Sequence, residues 1–182
     1  MKKILLLLAI NITIGINLDA QKFITKNGII KFRSDAKLEK IEAVNKQVNC
    51  AYDLSNNNIV FKVLIKSFEF EKALMQEHFN ENYLESDKFP LATFSGTLSG
   101  FDKNNISKKG SYNVIVEGKL TIHGVTKQVK EKGSLEIKDG KITATSGFNI
   151  KLKDYNIKIP NAVFNKVAEE INITVEMPLS KV

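Results

Sequence analysis

The stretch GSYNVIVEGKLTI, residues 110–122, alternates between two kinds of side chain at nearly every step. Tyr112, Val114, Val116, Gly118, Leu120 and Ile122 share one face, while Asn113, Glu117, Lys119 and Thr121 share the other. Successive side chains of an extended chain point to opposite sides, so this period of two describes a strand with one buried and one wetted face. The pattern recurs in NNIVFKVLIKSFEF, where Ile59, Phe61, Val63 and Ile65 lie opposite Lys62 and Lys66. It recurs in KITATSGFNIKL (Ile142, Ala144, Ser146, Phe148, Ile150, Leu152) and in EEINITVEMPL (Ile171, Ile173, Val175, Met177). GIIKFRS, KQVNCAYDL, ATFSGTLSG and GSLEIKD are weaker versions of the same signal. About eight such strands, each apolar on one side, must pair and close over a shared interior, which predicts an all-β antiparallel sandwich or barrel.

Turn signals punctuate the strands. KNG precedes Ile29, SNNN precedes Ile59, DKNN follows Phe101, and Asp139-Gly140 is a favoured two-residue hairpin dipeptide. One segment breaks the rhythm: in FEKALMQEHFNENYLE, Phe70, Leu74, Met75, Phe79 and Tyr83 recur at three-to-four spacing. That predicts an inserted amphipathic helix over about 71–80, lying across a barrel mouth or an edge. NAVFNKVAEE is a weaker helical signal and reads as a short turn.

The first twenty residues stand apart. Lys2 and Lys3 precede an apolar centre, and a small residue, Ala20, closes the segment. This is the layout of a cleavable export signal, and its apolar centre is too short to span a bilayer. Cleavage is expected after Ala20, delivering residues 21–182 as one domain to the periplasm or the exterior. The chain's net charge is +7, and losing Lys2, Lys3 and Asp19 leaves +6. Such basicity fits a lysine-rich solvated surface, or transient contact with an anionic membrane. Arg33 is the one arginine, which argues against a nucleic-acid reader. Cys50 is the one cysteine, so the domain has no internal disulfide, and its place in an alternating run reads as a small buried hydrophobe.

The inventory for catalysis is sparse. There are two histidines, His78 and His123, with no metal-ligand spacing, and no nucleophile elbow or phosphate-cradling loop. No cofactor or metal is therefore expected. His78 and Glu77 are adjacent on the predicted helix, so their side chains diverge by about 100° and form no dyad. His123 falls on the polar side of its strand just before Gly124, which reads as strand, corner, strand with His123 fixing the corner. Glu69, Glu71, Glu77, Glu81, Glu85 and Asp87 gather around the helix without calcium-loop spacing and read as a solvated face.

In excess are alternating apolar residues and phenylalanine, eleven of them with no tryptophan. A small barrel either fills itself with side chains or keeps a cavity. Gly96, Gly118, Ala92, Ala144 and Ser146 are small residues on inward faces, which leaves both outcomes open because glycine also relieves twist. An apolar cavity would bind chains without reacting with them, at roughly 0.8 kcal/mol per buried methylene.

The stretch LESDKFPLATFSG, the helix with EHF before it, and VEGKLTIHGVTKQV together resemble the YceI-like family of polyisoprenoid-binding proteins. Leu120, Thr121, His123, Gly124, Thr126 and Lys127 match one family motif, and Phe89, Pro90, Thr93 and Phe94 match the segment after the helix. Near the end, KDYNI stands where the family has an arginine-aspartate-phenylalanine-glycine stretch, so arginine and glycine are missing. The resemblance implies a lipocalin-like barrel of about eight strands with the helix inserted. It implies a non-catalytic, exported protein that holds a long apolar lipid, a polyisoprenoid or similar amphiphile. The expected cavity walls are Phe61, Val63, Ile65, Phe79, Phe94, Val114, Val116, Ile122, Phe148 and Ile150. The rival readings are a periplasmic enzyme using His78, and a filled barrel acting as a structural or partner-binding module.

Overall fold

The computed structural model describes residues 21–182; the expected export signal lies outside the described residues. Nine strands are present among the described residues: β1 Lys22–Asp35, β2 Lys40–Asp53, β3 Asn58–Leu64, β4 Glu69–Phe70, β5 Leu91–Ser99, β6 Gly110–Ile122, β7 Val125–Lys138, β8 Lys141–Lys151 and β9 Glu170–Lys181. They pair antiparallel in the order β1-β9-β8-β7-β6-β5-β3-β2, and β1 pairs with β2 to close the ring. The domain is therefore an eight-stranded barrel, and two-residue β4 is an accessory that pairs with Ala43 and Val44 where β3 has left β2. Closure removes every sheet edge except where strands diverge.

The alternation read from the sequence is the inside–outside pattern of the wall. In β6, Val114, Gly118 and Ile122 are buried, whereas Asn113, Glu117 and Lys119 are exposed. Two hairpins close with adjacent positive-φ residues, His123 and Gly124 (50° and 73°) and Asp139 and Gly140 (49° and 74°). That pair of left-handed conformations is the two-residue turn whose twist matches the strands it joins.

The inserted segment is shorter as an α-helix than the spacing predicts. Helix α1 spans Ala73–His78 and continues as a wider π-type turn over Phe79–Tyr83. At the junction the Gln76 carbonyl accepts from the Phe79 N–H, three residues on, and from Asn80 Nδ2 (2.8 Å). The ladder then steps to Leu84 N–H onto the Phe79 carbonyl (2.9 Å). NAVFNKVAEE forms only a 3₁₀ turn, Asn161–Val163.

The two ends of the barrel differ. One carries the tight turns at 54–57 and 139–140 and the 100–109 loop, and it is packed solid. Val48, Tyr52, Leu135 and Met177 there are fully shielded from solvent. Cys50 is buried in the same cluster and is a free thiol. The other end carries α1, the His123–Gly124 corner and the long 152–169 connection.

Candidate functional site

The barrel's second half is hollow. A cavity of about 520 Å³ opens at the end that carries α1, and its walls are almost wholly apolar. This lies within the usual range for small-ligand sites, about 300–1,000 Å³. Phe61, Val63, Phe94, Val116 and Ile122 line it from β3, β5 and β6; Phe148 and Ile150 line it from β8; Ile65 and Phe79 close it from the inserted segment. Val114 does not reach it. That side chain is 4% exposed and belongs to the filled half, two residues deeper on β6 than Val116.

Three wall residues, Phe32, Phe68 and Phe70, were not among those expected from the sequence. With the expected Phe79 they form one aromatic cluster with ring centroids 5.0–5.6 Å apart, mostly tilted or edge-on as ring quadrupoles prefer. Phe32 comes from β1, whereas Phe68 and Phe70 flank the start of the inserted segment. The cluster roofs the hollow half and accounts for four of the eleven phenylalanines. Ile171, Ile173 and Val175 of β9 complete the wall, and their alternation was legible in EEINITVEMPL.

The small inward residues divide. Ser146 and Ala92 face the cavity. Gly96 and Gly118 do not make space for it: they are paired face to face across β5 and β6, and the Phe94 ring lies over both. A Cβ at either would fall within 2.6 Å or 2.9 Å of Phe94 Cζ. These glycines admit a ring and a close strand approach.

The wall also parts on one side. The β7–β8 ladder runs from Lys138 and Lys141 only as far as Gly133 and Ser146. At that point Ser146 Oγ donates to the Lys132 carbonyl (2.8 Å). Beyond it the strands diverge around a side recess of about 290 Å³, which shares Val129, Glu131, Phe148 and Ile150 with the main cavity. Glu131 is on the inward side of β7, paired with Val116.

The histidines separate as well. His78 sits exposed on α1 at the cavity mouth. His123, with a side chain only 10% exposed, bridges three segments. Its Nε2 is 2.7 Å from Glu85 Oε2, its Nδ1 is 3.2 Å from the Tyr155 carbonyl, and the Phe89 ring meets it edge-on at 4.6 Å. One ring thus ties the β6–β7 corner to the loop after the helix and to the turn after β8. Burial pushes the Cys50 thiol up to about 12 and the Tyr52 hydroxyl up to about 12, so Cys50 is protonated and unreactive at neutral pH. Tyr155 is raised by burial and, secondarily, by the carboxylates of Asp154 and Glu131. Among the described residues, no three His, Cys, Asp or Glu side chains gather where a metal ion could be held, and no helix is long and apolar enough to cross a membrane.

Solved structures share this architecture. A polyisoprenoid-binding domain from Saccharophagus degradans superposes with a TM-score of 0.76 over 90% of this chain and 99% of its own, at 12% identity. BcnA of Burkholderia cenocepacia gives 0.69 over 84% and 96%, at 17% identity. The YceI protein of Campylobacter jejuni gives 0.55 over 72% and 77%, at 19% identity. No curated protein matches the chain in sequence. The family model of the YceI-like domain matches residues 19–179, which takes in nearly the whole barrel: the chain belongs to the YceI-like family.

Proposed function

We propose that this protein is an exported, non-catalytic carrier that holds a long apolar lipid, a polyisoprenoid or similar amphiphile, with its tail in the hollow half of the barrel. The observation that carries the proposal is the apolar cavity of about 520 Å³, open at one end and closed at the other by a packed core. The polyisoprenoid-binding description of the Saccharophagus degradans domain supports the class of ligand. In this reading Phe61, Val63, Ile65, Phe79, Phe94, Val116, Ile122, Phe148 and Ile150 contact the tail, and no residue acts on it.

The volume bounds the cargo. At roughly 30 Å³ per methylene-sized group, the share of one water in the liquid, about 520 Å³ takes about seventeen carbons. That is roughly three to four five-carbon isoprenoid units, and a longer chain protrudes through the mouth. Seventeen groups at about 0.8 kcal/mol each give about 14 kcal/mol gross. Association removes at least about 4 kcal/mol of this, leaving room for sub-micromolar binding without any ionic contact.

The test is native mass spectrometry of gently purified protein, followed by organic extraction and loading with a long-chain prenol. The expected result is a stoichiometric lipid adduct. Failure of the purified protein both to carry a lipid and to take up the prenol sinks the proposal. No observation favours the His78 enzyme: its ring is exposed at the mouth, and the imidazole held by a carboxylate is that of His123.

A further inference from the structure

Among the described residues, three of the four most exposed large apolar side chains sit at the rim of the cavity, and the fourth is the terminal Val182. Leu38, Leu74 and Phe164 are 72%, 60% and 53% exposed, and all three belong to segments that frame the mouth. Leu74 lies on α1, Phe164 follows the Asn161–Val163 turn, and Leu38 lies between β1 and β2. These segments are joined to one another. Leu38 N–H donates to the Asn165 carbonyl (3.0 Å), and Lys72 Nζ pairs with Glu39 Oε1 (3.5 Å). Glu39, Lys72, Val163 and Lys166, from the same three segments, line the mouth itself.

The rim carries little net charge. Residues 36–39, 72–78 and 161–168 hold Lys37, Lys72 and Lys166 against Glu39 and Glu77, a net of +1, and Lys72 is paired with Glu39. A near-neutral ring of projecting Leu and Phe around an apolar opening matches a hydrocarbon–water interface better than a charged partner.

We infer that the mouth end of the barrel docks on lipid bilayers by shallow insertion of Leu38, Leu74 and Phe164, so that the cavity opens directly onto the hydrocarbon. The inference rests on the carrier reading for its purpose, and docking is measurable without it. The bilayer contact is apolar, so it does not depend on anionic lipid or on low salt.

The test is flotation of the protein with phosphatidylcholine vesicles, at low salt and at about 1 M, where the Debye length is about 3 Å. The expected result is equal flotation in both. The double variant Leu38→Ser and Phe164→Ser should float about tenfold less or worse, yet take up a water-dispersed fluorescent fatty acid as well as the parent. Both substitutions are at exposed positions outside the cavity wall, and that uptake reports a folded barrel. Flotation of the parent that vanishes in high salt, or that persists in the double variant, overturns the inference. So does absence of parental flotation while fatty-acid uptake is intact, or a dimer in sedimentation equilibrium that the double variant abolishes. Flotation without fatty-acid uptake supports docking and counts against the carrier reading alone.

Discussion

Val114 and Val116 provide a sharp test of a half-hollow barrel, because they are the same residue type on the same face of β6. Val116→Phe adds four carbons to a wall that faces the cavity of about 520 Å³. At roughly 30 Å³ each they take up about 120 Å³, close to a quarter of the space. The longest tail that fits inside falls from about seventeen carbons to about thirteen. Four methylenes at about 0.8 kcal/mol are worth about 3 kcal/mol, or roughly a 150-fold loss of affinity for a long chain. Part is recovered if the tail slides toward the mouth, so the expected loss is about 10- to 150-fold. Chains shorter than about thirteen carbons should bind unchanged. The assay is displacement of a fluorescent fatty acid by primary alcohols of increasing length. Affinity should level off near seventeen carbons for the parent and near thirteen for the variant. Val114→Phe instead puts the same atoms into packed core and should cost about 1–3 kcal/mol of stability in urea denaturation, with the seventeen-carbon plateau kept. Identical plateaus in parent and Val116→Phe, or equal destabilisation by both substitutions, would refute the division into a filled and a hollow half.

Three further outcomes follow from particular contacts. His123→Ala leaves Glu85 Oε2 and the Tyr155 carbonyl without their ring partner, and should lower stability by about 1–3 kcal/mol. Thermal denaturation should show a drop of about 2–12 °C, and an unchanged midpoint would dismiss the corner-pin role. Gly118→Ala forces a methyl group against the Phe94 ring and the paired Gly96, and should be destabilising by about 1–3 kcal/mol, read by the urea midpoint. Burial raises the Cys50 thiol from 9.0 to about 12, so between those values the folded chain keeps a proton that the unfolded chain has released. Stability should thus be insensitive to Cys50 below about pH 9 and fall by up to about 1.4 kcal/mol per pH unit above it. Urea denaturation at pH 8 and pH 10 should show this slope reduced in Cys50→Ala, and an equal slope in both proteins would contradict it.

The wall of the barrel was legible because alternation reports which way a side chain faces. Facing inward is a local property, set by pleat and register within one strand. Depth along the barrel axis is not: Val114 and Val116 look alike in sequence, yet one is core and the other cavity wall. The glycines were ambiguous for a related reason. Gly96 and Gly118 read as small inward residues, but their use depends on the β5–β6 register and on where Phe94 places its ring. The roof was half-visible. Helical spacing marked Phe70 and Phe79, whereas Phe32 joins them from β1, about forty residues earlier in the chain. The side recess had no sequence signal because it reflects where hydrogen bonding between β7 and β8 stops, and only Ser146 hints at it by bonding across the fork.

The hollow half also has a thermodynamic consequence for the empty protein. Cavities made by core truncation destabilise by about 24 cal/mol per Å³. On that scale a sealed, empty space of about 520 Å³ would cost about 12 kcal/mol, comparable with the whole stability of a typical domain. The open mouth softens this by connecting the space to solvent, but apolar walls still lack partner atoms. A lipid tail and the ring introduced by Val116→Phe are therefore two ways to supply the same missing contacts. Val116→Phe should leave the empty barrel as stable as the parent or more so, by up to about 3 kcal/mol for about 120 Å³ filled. A long prenol should then raise its melting temperature less than it raises the parent's, because two fillings of one space do not add. Full additivity of the two shifts would mean that the tail lies somewhere other than this cavity.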